Sequence, residues 1–433
     1  MLEAKTKVKR YDTYKYSGVE WLGEIPSHWE VKRFKHIFKE KKITHDVKLN
    51  CGSISFGKVV FKDDEKVPVS TKKSYQVLNK GEFLINPLNL NYDLKSLRIG
   101  LSDKDVVVSS GYIIVQNVAE LSKVYYKWLL HIFDIAFMKT LGSGVRQTLS
   151  FAHVANSELV FPPLSEQTKI AQFLDDKTSK IDVAVTIKEQ QINLLKERKQ
   201  ILIHKAVTQG LNSNVTLKDS GVEWIGKIPK HWEVVPLRHI GKTQNGLSKG
   251  GEYFGSGFPF LTYGDVYKNR TVPNTLSGLA EASIADRQQF SIKEGDIFFT
   301  RTSETVEDIA FTSTCLNNLE NGTFAGFLIR FRPEKNILYK GFSRYYFSSS
   351  THRSFFVGQM NLVIRASLSQ DHLKRMPVLI PPLSEQKRIS TYIETGSQKI
   401  EIAISLKQQE IEKLKEYKSS LINSVVTGKV RVC

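Results

Sequence analysis

Two stretches of the chain share one pattern of apolar and polar positions. From about residue 170 and again from about residue 390, apolar side chains recur at alternating steps of three and four inside a strongly charged background. The first series is Leu174, Ile181, Val185, Ile192, Leu195, Leu202 and Ala206, and the second is Ile393, Ile400, Ile404, Ile411, Leu414, Leu421 and Val425. That spacing predicts a narrow coiled-coil seam rather than the wide apolar stripe of a helix packed on a globular core. Each seam is interrupted by lysines at equivalent places, Lys188 and Lys407, then Lys199 and Lys418. A polar seam position costs stability but fixes register and partner.

Both patterns open on the same hexapeptide, Pro-Pro-Leu-Ser-Glu-Gln, at Pro162–Gln167 and Pro381–Gln386. Ser165 and Ser384 are predicted N-caps, and Glu166 and Glu385 place a carboxylate in the first turn, where the helix dipole favours it. Gly210 and Gly428 are predicted C-terminal stops. Each helix is then a rod of roughly 60 to 65 Å, and the two pair with each other.

The repeat extends beyond the helices. Ser17–Trp21 returns at Ser220–Trp224, and His28-Trp-Glu-Val returns at His231-Trp-Glu-Val. His28 and His231 read as packing and capping residues, and Trp21, Trp29, Trp224 and Trp232 as core anchors. Strand-like segments follow in both copies, Lys58–Phe61, Gly81–Ile85 and Val106–Gln116 in the first, Phe258–Tyr263, Gly295–Thr300 and Phe324–Phe331 in the second. The middles of these inserts look unrelated, but their ends converge: Arg146–His153 matches Arg365–His372, with Ser150 and Ser369 as predicted caps of a short helix.

Composition narrows the function. The net charge of +18, from 62 Lys and Arg against 44 Asp and Glu, is spread along the chain and points to a polyanionic partner. No apolar run reaches membrane-span length, and the charged start is not a secretory signal. Three distant cysteines, Cys51, Cys315 and Cys433, have no metal-ligand spacing; no metal site is expected, and the compartment is expected to be the reducing cytoplasm. Asn86-Pro87-Leu88-Asn89 lacks the second proline and the aromatic with which amino-methyltransferases grip a flipped base, so it reads as a turn. Gly255-Ser-Gly257 has no Gly-Lys-Ser/Thr companion, and Asp63-Asp64-Glu65 stands without a second acidic strand, so neither a P-loop nor a nuclease centre is indicated. A purely architectural scaffold would not need two large, dissimilar, basic inserts.

The order of opening module, variable insert and Pro-Pro-Leu-Ser-Glu-Gln helix, given twice, resembles the specificity subunit of type I restriction–modification systems over essentially the whole chain. The resemblance implies an α+β fold of two globular mixed α/β target-recognition domains, separated by two long antiparallel coiled-coil helices in a pseudo-two-fold internal repeat. The implied organisation is a first module and recognition domain at 1–162, a spacer helix at 163–211, a second module and domain at 212–381, and a second helix with tail at 382–433. Each domain would read one half of a bipartite double-stranded DNA site, half-sites being spaced by roughly 34 Å on one face of the duplex. The implied partners are two modification subunits and two motor–nuclease restriction subunits, with no membrane. The chain itself would be non-catalytic and hold no cofactor, S-adenosylmethionine, ATP and Mg being bound by the partners.

Candidate DNA contacts are Lys72, Lys73, Asn89, Asn91, Lys95, Arg146 and Gln147 in the first insert. In the second they are Lys249, Tyr263, Lys268, Arg270, Arg301, Thr302, Ser303 and Arg365. Their types suit phosphate and base-edge contacts. The matched pair Arg146 and Arg365 suggests a shared backbone contact or structural role. Off-seam residues Gln190, Gln191, Lys196, Glu197 and Arg198, with Gln409, Glu410, Lys415, Glu416 and Tyr417, are available for partner subunits.

Overall fold

The structure, a computed structural model of the chain, describes residues 9–88, 97–138, 149–303, 309–349, 355–356 and 366–432. It divides into two compact units, Met1–Lys188 with Gln409–Cys433, and Glu189–Gln408. The division falls inside the two long helices, Leu164–Gln209 and Leu383–Val426, so each unit holds a segment of both.

In the first unit the helical segments run antiparallel, with Lys418 Nζ 2.7 Å from Asp182 and Lys188 Nζ 2.5 Å from Glu410. In the second unit Lys199 Nζ lies 2.5 Å from Glu401, the 219-residue equivalent of Asp182. Lys188, Lys199 and Lys418, three of the lysines that break the apolar seam, therefore reach acidic partners on the opposite helix and set its register. Glu410 is engaged in this way and is not the open outer-face residue the sequence suggested. Among the seam residues, Leu174, Ile181, Ile192, Ile393, Ile400 and Ile411 are buried, while Val185, Leu195, Leu202, Ile404, Leu414 and Leu421 are half-buried.

Both helices start at the leucine of the hexapeptide, one residue before the predicted cap. Ser165 and Ser384 thus sit inside the first turn, and the carbonyls of Pro163 and Pro382 accept from the backbone of the following Glu and Gln. Prolines suit this edge because they bring no amide hydrogen to satisfy. Gly210 (φ +74°) and Gly428 (φ +76°) follow the helix ends in the left-handed conformation expected of a stop.

The repeated motifs assemble into one arrangement in each unit. In the first, Trp29 is fully buried and its Nε1 donates to Glu166 at 3.1 Å, while His28 Nε2 lies 2.6 Å from the same carboxylate. In the second, Trp232 is fully buried and donates to Glu385 at 3.1 Å, with His231 Nε2 at 2.9 Å. Gln167 is buried and accepts from the Ser122 amide at 2.9 Å; Gln386 does the same for Tyr339 at 2.7 Å. The C-terminal glycine closes the arrangement. A Cβ on Gly428 would meet Pro26 Cδ at 2.4 Å, and one on Gly210 would meet Glu385 Oε1 at 2.8 Å. The most repetitive part of the sequence is therefore structural: it locks two helix ends onto a buried tryptophan.

The inserts, unlike in sequence, contain the same sheet. In the first unit the order is Phe38–Glu40, Ile113–Asn117, Phe83–Ile85, Ile99–Leu101, extended by Lys58–Phe61 and Gly52–Ser55. In the second it is Gly241–Asn245, Leu328–Pro333, Ile297–Thr300, Thr312–Thr314. Matching hydrogen bonds align them. The Gly81 amide donates to Ser102 O and the Gly295 amide to Cys315 O, both at 2.8 Å, and both glycines have positive φ. The backbone amides of Asn79 and Lys293 donate to the carboxylates of Glu82 and Asp296.

Of the six expected strand segments Lys58–Phe61 keeps its bounds, Gly81–Ile85 and Gly295–Thr300 shorten to Phe83–Ile85 and Ile297–Thr300, and the other three differ further. Val106–Gln116 is two strands, Val106–Val108 and Ile113–Asn117, because Ser109–Gly111 turns between them. Tyr263 is not in a strand but starts the helix Tyr263–Lys268, capped by Thr262. The long strand of the Phe324–Phe331 region is Leu328–Pro333, preceded by the two-residue strand Thr323–Phe324 and a bridge from Ala325 to Leu247.

Candidate nucleic-acid interface

The chain between the first and third strands of the common sheet is where the units diverge. In the first unit it forms a lobe around Val59, Leu78, Val106 and Val108, and in the second a lobe around Phe260, Val266, Phe298 and Phe324. Each lobe contains a short lysine–aspartate pair that holds its carboxylate. Lys72 Nζ is 2.7 Å from Asp64, whose carboxyl it holds down at about 2 with help from the Cys51 amide. Lys249 Nζ is 2.6 Å from Asp286, held at about 2 by that lysine and by Ser283. Two basic residues offered by the sequence as DNA contacts thus serve the fold. Lys73, beside Lys72 on the short helix Val69–Lys73, is exposed.

Four other candidates cluster in the second unit. Tyr263 stacks on Tyr267 at 6.0 Å and donates its hydroxyl to Thr302 O at 2.8 Å. Lys268 ends the same helix and Arg270 lies two residues beyond it, both exposed. With Tyr267, Phe311, Phe347 and Gln200 they line a cavity of about 470 Å³. Arg301 is half-buried, and its carbonyl accepts from the Leu368 amide at 2.7 Å. Thr302 pairs with Ser367, and Ser303 pairs through its backbone with Ala366. The first unit repeats the tie, the Leu149 amide donating to Pro87 O at 3.0 Å. Leu149 and Leu368 are 219-residue equivalents, so the segment before each short helix returns to the end of the third-strand hairpin in both units. Asn89, Asn91, Lys95, Arg146, Gln147 and Arg365 lie outside the described residues.

Ser369 Oγ accepts from the His372 amide at 3.1 Å, and the Ser150 amide donates to His153 Nδ1 at 2.9 Å, so both serines stand at helix starts. Asn86-Pro87-Leu88 is a turn, closed by the Leu88 amide on Asn86 Oδ1 at 3.1 Å. Among the described residues no cluster of three or more metal-ligating side chains is present, and Asp64 is committed to Lys72 and Cys51. No described helix is long and apolar enough to cross a membrane.

Sequence reading missed the cavity, because Tyr267, Phe311 and Gln200 come from three separate stretches. It also missed a second apolar row on the long helices. Val183 and Ile187 in the first unit, and Leu194, Ile201, Ile402 and Leu406 in the second, are about half exposed or more. Val183 and Ile187 are the equivalents of Ile402 and Leu406, and the four-and-seven spacing was legible as a second heptad stripe.

A repeated sheet with divergent lobes, each bearing exposed basic residues, defines a duplicated recognition protein. The model of the type I restriction modification DNA specificity domain matches residues 26–196 and 229–416, and the chain belongs to that family. It is similar to a putative type I restriction enzyme specificity subunit, MjaX, of Methanocaldococcus jannaschii, 24% identical over 95% of this chain and 96% of the relative. Its fold is similar to that of a chain from a structure describing complex assembly and conformational transition of the type I R-M system. That match has TM-score 0.68 at 15% identity, over 93% of this chain and 98% of the other. The HsdS subunit of Thermoanaerobacter tengcongensis gives TM-score 0.58 at 17% identity, over 94% and 98%. The chain is accordingly a specificity subunit, the non-catalytic recognition component of its system.

Proposed function

We propose that each unit reads one half of a bipartite DNA site and that the paired helices set the distance between the halves. The observation that carries this reading is the common four-stranded sheet bearing two unlike lobes: one scaffold used twice, with different reading surfaces. In the second unit the reading surface is assigned to the helix Tyr263–Lys268 with Arg270, since Lys268 and Arg270 are exposed cations beside aromatic side chains. The exposed apolar row on the long helices supports docking of two modification subunits through their own helices, which would cover it. Restriction subunits would join through these, and S-adenosylmethionine, ATP and Mg would be bound by the partners. The complex would work in the cytoplasm, against incoming DNA.

The test is co-expression with the neighbouring modification subunit, followed by mapping of modified adenines in host DNA by single-molecule sequencing. A split motif, modified once on each strand and dependent on this chain, is the expected result. Methylation that does not require the chain would refute the reading. Exchanging Val235–Ile380 for a relative's insert should change one half of the motif only.

A further inference from the structure

The hairpin Gly52–Ser55 to Lys58–Phe61 extends the common sheet of the first unit, and the second unit's four-stranded sheet has no such pair of strands. Ser55 pairs with Lys58, leaving a two-residue loop, Phe56-Gly57. Both residues have positive φ, +47° and +73°. That is the loop type for which Asn-Gly is the favoured sequence, because L side chains strain the first position and a bulky one is an outlier there. The strain has no packing return, since Phe56 is 70% exposed. Nor is the loop free to relax. Gly57 lies against Leu97 and the Ile99 carbonyl, a Cβ there meeting them at 3.1 and 3.3 Å, and its own carbonyl lies against Gly100.

The surroundings point to a polyanion that also offers flat apolar faces. Lys58 opens the returning strand and Lys62 follows its end, both exposed. Phe61, 57% exposed at its end, has Lys104 Nζ 5.0 Å from its ring centroid. A rigid ribbon tipped by an aromatic and flanked by the exposed Lys58 and Lys62 fits duplex DNA: their ammoniums neutralise phosphates while the ring enters the stack, Lys104 being held by Asp103 at 2.9 Å and by the Val59 carbonyl at 3.2 Å. A strained, solvent-facing residue held by a clamped turn is a common mark of a functional contact.

We propose that Phe56 is an apolar wedge that inserts against a base step of the first half-site and partly unstacks it. The inference rests on the first unit being a DNA reader. It makes the first half-site dependent on the deformability of one step, to which the second unit adds nothing.

The two roles separate in one variant, because Phe56→Asn improves the turn and removes the ring. The full chain is co-expressed with its modification subunit and tested on duplexes carrying the motif mapped for the wild type. Phe56→Asn should raise the unfolding temperature, weaken binding about tenfold at fixed salt, and leave the salt slope unchanged. Lys58→Ala should instead lower that slope by about one. With 2-aminopurine placed step by step through the first half-site, wild type should brighten one step besides the target adenine that the modification subunit flips, and Phe56→Asn should lose that step alone. Phe56→Asn binding like wild type overturns the wedge, as does a loss of affinity that tracks loss of the modification subunit from the complex. If the wild-type complex itself shows no half-site dependence, the DNA-reading function fails instead.

Discussion

The two units solve one structural problem with the same parts and one recognition problem with different parts. Each anchors a helix start, through a glutamate, to a buried tryptophan and a histidine, and each builds the same sheet behind it. They part company at the edge of that sheet. Where the first unit has Arg98, buried and paired with Asp134 at 2.9 Å, the second has Phe311 in an aromatic set with Tyr267. Arg98 and Phe311 are equivalent by their backbone bonds, to Asn86 and Thr300. A scaffold position that tolerates an ion pair in one copy and a phenyl ring in the other is set by its local lobe. What the shared frame demands is the backbone tie, not the side chain.

The largest effects should come from the shared parts. Trp29→Ala and Trp232→Ala should each cost about 3–5 kcal/mol, the cost of emptying a full aromatic site. In denaturant titrations each should lower the transition of its own unit, and unequal losses would show that the two locks are not equivalent. Next comes the feature that distinguishes the units. Asp134→Ala leaves Arg98 buried without its partner and should cost about 3 kcal/mol, while Arg98→Leu with Asp134→Leu should recover most of it. A double variant as unstable as the single would mean that the pair itself, not its desolvated remnant, holds the first unit together.

The stop glycines give a smaller, graded contrast. Alanine at either must adopt a left-handed conformation at about 1–2 kcal/mol. Gly428→Ala should cost more than Gly210→Ala, since its methyl would come within 2.4 Å of a proline ring, against 2.8 Å from the Glu385 carboxylate. Differential scanning calorimetry would resolve the order. The smallest effect is expected from acid. Asp64 and Asp286, held at about 2 below an unfolded value near 3.8, stabilise their lobes above that value. That contribution should fade as pH falls from about 4 towards 2. Asp64→Asn and Asp286→Asn should flatten this part of the stability–pH curve in their own unit only.

Burial pushes the Glu166 carboxyl up, but hydrogen bonds from His28, Trp29 and Tyr11 hold it below the ordinary glutamate range. The lock should accordingly weaken as pH drops through that lowered value, after the ordinary glutamates have titrated.

Much of this architecture was open to reading because it is local and duplicated. Helix periodicity, terminal glycines and the paired motifs are fixed by short-range sterics and hydrogen bonding, and repetition separated signal from chance. The positions of Trp29 and Trp232 in the cores, and the family itself, followed from those motifs. The caps shifted by one residue because the proline carbonyls serve the turn that the serines were expected to serve.

Other features exist only in three dimensions. The common sheet is a pattern of backbone hydrogen bonds, which many side-chain sets satisfy, so Gly81-Glu82 and Gly295-Asp296 are nearly all that survives of it in the sequence. Lys72 and Lys249 look like free cations until Asp64 and Asp286 fold next to them. Phe56 looks like any strand phenylalanine until the Ser55–Lys58 pairing places it on a two-residue loop. The chain's order determined the class of protein; long-range contacts, which no local pattern encodes, decided which of its basic and aromatic residues remain available to a partner.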